Sequence, residues 1–93
     1  MVPSELAQLL ADAEACANEC EAFLATSGAD PVVAAAAACR VLGELLDLHP
    51  DLFVAAVRVC RELATAAVED APALEPALLR VAESASAFLD AGR

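Results

Sequence analysis

Ninety-three residues have room for one domain and one core. The chain is 60% hydrophobic, but 25 alanines supply nearly half of that, with three Phe and no Trp or Tyr. Fifteen acids face five Arg and no Lys, and the net charge of −10 excludes phosphate-backbone binding as a leading function.

Alanine is the best helix former, so the composition predicts an all-α chain of closely packed helices. The first helix is expected over about 4–26. Ser4 stands at its N-terminus, and Leu6, Leu9, Leu10, Ala13, Cys16, Ala17, Cys20, Phe23 and Leu24 form its apolar stripe. "TSGADP" ends it, with Gly28 suited to a C-terminal cap and Asp30-Pro31 to the cap and first turn of a second helix, about 31–48. That helix turns Val32, Ala35, Ala36, Cys39, Leu42, Gly43 and Leu46 inward. Pro50 disfavours helix at His49 and separates off a third helix, about 51–69, with Leu52, Phe53, Ala56, Val59, Cys60, Leu63 and Ala67 inward. "EDAPALEP" interrupts again. A fourth helix, about 73–91, then buries Leu78, Val81, Ala82, Ala85, Phe88 and Leu89. Short connections favour antiparallel neighbours, so the expected architecture is an up-down-up-down four-helix bundle; an open array closed by a second copy also satisfies the pattern. With few other large side chains, Phe23, Phe53 and Phe88 are all expected to be largely buried.

The four cysteines carry the inward phase of three helices. Counted from helix ends near Thr26, Pro31 and Glu69, at 1.5 Å per residue, they fall within roughly 6 Å along the bundle axis. Cys16, Cys20, Cys39 and Cys60 should therefore form one layer, covered on the fourth helix by Leu79, Val81 and Ala82. Three readings fit such a layer. Free cysteine packs as a small hydrophobe, so the four could be core filler. Cys39 and Cys60, on different helices, could form a disulfide, for which Cys16 and Cys20 within one helix are poorly placed. The four thiolates could also be metal ligands, selecting soft Cu(I), or Zn(II) in a tetrahedral set. No CxxC occurs, so the usual zinc-ribbon and thioredoxin-like spacing is missing.

"CANEC" at 16–20, "CR" at 39–40 and 60–61, and "RVAESASAFLDA" at 80–91 share a texture. It resembles the cysteine-rich four-helix-bundle copper storage proteins of bacteria, which repeat cysteines at three- and four-residue steps. The likeness runs from about Asp12 to Ala91. It implies Cu(I) held by thiols inside the bundle and association into oligomers such as tetramers. Positions around the thiols carry Asp12, Leu24, Gly43, Ala56 and Ala64, and the fourth helix has no cysteine. What carries over is a single small cluster on Cys16, Cys20, Cys39 and Cys60.

His49 lies about 15 Å along the axis from Cys39, which favours a turn role over a ligand role. Glu14, Glu19 and Glu21 read as a solvated face. Glu44 and Glu62 lack di-iron spacing, and Ser84 and Ser86 have no histidine in their region to act as base. No enzyme signature is present. The N-terminus lacks the basic and apolar regions of a secretory signal, and no apolar run reaches the roughly 18 residues of a membrane span. A cytoplasmic chain with reduced thiols is expected. So small a core also favours a homo-oligomer, dimer or tetramer. The competing function is a metal-free helical interaction module, with Val33, Ala34, Ala37 and Ala38 on the outer face of the second helix as its contact surface.

Overall fold

A computed structural model describes residues 4–92, and the regular structure among them is helical. It comprises α1 (Ser4–Leu24), α2 (Asp30–Leu48), α3 (Pro50–Ala67) and α4 (Glu75–Ala91), with one 3-10 turn at Pro72–Leu74 leading into α4. Each helix packs mainly on its sequence neighbours, and α1 against α4 closes the ring. The 23 and 17 Å transverse dimensions are about two helix diameters each way, so two helices lie on two. Glu21 of α1 meets Arg40 of α2, Phe53 of α3 meets Phe88 of α4, and Asp12 of α1 meets Ser84 of α4. These contacts, with His49 alone between α2 and α3, join the four helices into one bundle.

The helix boundaries are set by means other than those expected. Asp30 begins α2 itself, with Ala29 as the cap residue and no side-chain cap bond. Gly28 does not close α1, because no described residue has positive φ. Instead the Thr26 and Ser27 N–H groups both donate to the Phe23 carbonyl, and the Thr26 hydroxyl joins them. α3 stops at Ala67, and α4 begins only at Glu75, after the 3-10 turn. Pro76 stands in the first turn of α4, where its missing N–H costs nothing.

Leucine and valine supply the largest core side chains: Leu9, Val32, Leu42, Val57, Leu78 and Val81 are fully buried. Alanines lie between them and let the helices approach closely. The expected faces of α1 and α2 hold, except that Gly43 is exposed. α3 is turned from its expected phase. Leu52 and Val59 are each 50% exposed, while Val57 and Ala64 take the core positions. The charged residues of α3, Asp51, Arg58, Arg61 and Glu62, share one face, and the buried side chains lie across the helix from it, so the expected stripe lies too far toward Leu52 and Val59. α4 likewise buries Ala77 and Leu78 and leaves Leu79 exposed. Of the three Phe, only Phe53 is fully enclosed; its ring meets Phe88 edge to face, with centroids 5.5 Å apart. Phe23 and Phe88 are half-buried, near helix ends that neighbours cover from one side only.

Candidate functional site

The four cysteines are buried and unbridged, and they lie at the centre of the molecule. Cys16 and Cys20, one turn apart on α1, place their Sγ atoms 3.9 Å from each other. Cys39 of α2 and Cys60 of α3 are closer, at 3.6 Å. Cys16 and Cys39 influence each other across the α1–α2 seam, so the sulfurs run in the order Cys20, Cys16, Cys39, Cys60 across three helices. A disulfide needs about 2.05 Å between sulfurs, so both close pairs are reduced thiols.

This chain of sulfurs shares its protons unequally. Cys39 is in the middle, and hydrogen bonding to Cys16 and Cys60, with burial added, raises its ionisation well above the ordinary thiol value. The Cys39 hydrogen bond brings Cys16 down to about 7 against the opposing effect of burial, and it lowers Cys60 as well. Burial, followed by the charge of Cys16 beside it, pushes Cys20 up to about 12. Within the layer, Cys16 and Cys60 are thus shifted toward the thiolate, and Cys20 and Cys39 toward the thiol. Among the described residues, no three His, Cys, Asp or Glu side chains form a ready-made cage for a metal ion.

The fourth wall of the layer differs from the expected lid. Val81 of α4 is buried and Ala82 partly so, but Leu79 points outward. His49 is exposed in the α2–α3 connection. Its backbone N–H donates to the Leu45 carbonyl, and its own carbonyl accepts from Leu52. Glu14, Glu19 and Glu21 are exposed. Glu21 pairs with Arg40, and the guanidinium hydrogen bonds hold its carboxyl below the usual range.

One buried polar group was not foreseen. Asp12, one turn before Cys16, is only 8% exposed. The Gln8 amide donates to both of its oxygens, at 3.1 and 3.0 Å, and the Ser84 hydroxyl donates to Oδ2. The inward phase of Asp12 and a Gln four residues earlier were visible in the sequence; its partner on α4 was not. No unsatisfied buried side-chain polar atom remains among the described residues. No family model, curated protein or solved structure matches the chain.

Proposed function

We propose that the chain is a small thiolate binder of soft metal ions, with Cu(I) as its cargo and no catalytic step. The observation that carries this reading is the convergence of four buried thiols from three helices, paired at 3.9 and 3.6 Å. Sulfurs sharing one tetrahedral ion with bonds near 2.3 Å stand about 3.8 Å apart, so both pairs already have a coordination edge. An all-thiolate donor set suits a soft ion such as Cu(I), with Zn(II) in a tetrahedral set of four as the other candidate. The proton that Cys16 releases near 7 makes room for a cation in a layer otherwise closed to water. Four thiols suit one ion or a small cluster, in keeping with the resemblance to copper storage bundles but without their long rows of ligands. A reducing cytoplasm is the compartment that keeps such thiols available.

Anaerobic Cu(I) titration against a competing chelator, followed by intact mass measurement, tests the reading. Tight uptake by the wild type, lost in a variant with all four cysteines replaced by Ala, is the expected result. Equal and negligible uptake by both proteins overturns it and leaves the cysteines as core filler.

A second reading, self-association through a helical face, draws on a separate observation. The exposed large apolar side chains lie chiefly on α2 and α3: Val33, Val41, Leu48, Leu52, Val54 and Val59, with Leu48 72% exposed. Two copies that each carry −10 would approach most easily where side chains bear no charge. A dimer or tetramer mass for metal-free protein in light scattering supports this reading. A monomer mass with full helicity removes it.

A further inference from the structure

We infer that a soft ion reaches the thiol layer through the flank between α1 and α2, with Cys39 as its first ligand. The inference rests on the reading of the four thiols as a soft-metal site and names the way into it. Cys39 is the one cysteine of the four with accessible surface, 4% against 0% for the others. It lies in a surface hollow lined by Leu10, Ala13, Glu14, Arg40 and Gly43. No other cysteine lines that hollow.

Two features keep it open. Gly43 has no side chain to cover Cys39, and a Cβ built there meets nothing within 4 Å. Arg40, the next residue after Cys39, is drawn to α1 by Glu21, at 2.9 and 2.8 Å, and by the Asn18 amide oxygen. Its guanidinium is thereby engaged rather than free to meet an incoming cation over the thiol. The exposed Glu14 carboxylate lines the hollow and supplies the opposite sign.

The exchange balances simply. Cu(I) on a chelator passes to the Cys39 sulfur; the chelator departs, and the thiol proton leaves to water through the hollow. Coordination by the metal drives that deprotonation, so a free Cys39 thiolate is not required beforehand. Since the Cys60 sulfur lies 3.6 Å from that of Cys39, the next step inward is one ligand exchange between neighbouring sulfurs.

The test uses the full chain and two readouts. Gly43→Leu adds a side chain at the rim of the hollow, where a Cβ meets nothing within 4 Å, and Ala66→Leu places the same side chain at an exposed site on α3 as a control. Stopped-flow transfer of Cu(I) from a chelator should slow by about tenfold in Gly43→Leu, with unchanged final stoichiometry and no change in the control. An unaltered rate in Gly43→Leu overturns the route. The second readout needs no metal: a substoichiometric pulse of N-ethylmaleimide on reduced protein, followed by peptide mass mapping. Labelling of Cys39 should be slower in Gly43→Leu than in the wild type and unchanged in the control, and an equal Cys39 labelling rate in Gly43→Leu and wild type overturns the route. Absence of Cu(I) uptake by the wild type would instead count against the metal-binding function, while the effect of Gly43→Leu on Cys39 labelling still decides whether the hollow is the way to that thiol.

Discussion

Asp12 and Cys16 occupy successive turns of α1, both facing inward, and they meet their surroundings in opposite ways. Asp12 is surrounded by dedicated donors: Gln8 serves both carboxylate oxygens, and Ser84 adds a bond from α4. Its hydrogen-bonding demand is met within the protein, as a buried polar group requires. Cys16 meets only other thiols, Cys20 on its own helix and Cys39 on the next. Thiols are weak donors and weak acceptors, so their contacts satisfy little and leave strong soft-ligand capacity in reserve. A buried polar cluster that is complete reads as architecture. One that is incomplete in the same core is where chemistry remains available.

The largest expected effect separates the two clusters by function. Cys39→Ala should weaken Cu(I) binding by more than about 100-fold, beyond the loss typical of residues that merely support a metal ligand. Asp12→Asn should leave that affinity within about twofold. Competition titration of both variants measures this, and a loss in Asp12→Asn matching that of Cys39→Ala would erase the distinction.

Stability should divide in the other direction. Ser84→Ala strips one donor from a buried carboxylate and should cost about 1–3 kcal/mol in denaturant unfolding. Asp12→Ala combined with Ser84→Ala should cost less than the sum of the single changes, since the two groups share one network. Cys20→Ala removes one sulfur from an apolar layer and should cost about 1 kcal/mol, near the value of a single buried methylene. A penalty for Cys20→Ala larger than for Ser84→Ala would make the thiols the structural cluster.

The smallest effect is in pH dependence, measured on reduced, metal-free protein. Cys16, lowered to about 7, stabilises the fold above the ordinary thiol value of 9.0, and that contribution is lost as pH falls through 7. Cys20, raised to about 12, contributes fully below 9.0 and loses its contribution as pH rises toward 12. Stability should therefore climb from about 7 to about 9 and then decline. The variant with all four cysteines replaced by Ala should lack both slopes. Unfolding midpoints across that range check the profile, and an identical profile in the two proteins would remove the thiols from it.

Much of this was legible before any coordinates. The inward positions of Leu9, Ala13, Cys16, Ala17 and Cys20 follow from their spacing, because an amphipathic helix has one face to bury and α1 carries charge on the other. The depth of the four cysteines follows from a constant rise per residue, which makes longitudinal position nearly a matter of counting. Rotation is a different matter. On α3 the charged side chains mark the outer face, but the rotation itself, which buries Val57 and exposes Leu52 and Val59, is settled only in the packed bundle.

Composition, helix-breaking residues and the four inward cysteines thus determined, from the chain alone, that this is an all-α bundle with a thiol layer across three helices. Tertiary structure alone decided that Cys39 stands between Cys16 and Cys60, that it is the thiol open to the α1–α2 flank, and that Asp12 is answered by Ser84. Local propensity acts along one helix, whereas contacts between side chains on different helices depend on how each rotates to fill the volume that its neighbours leave.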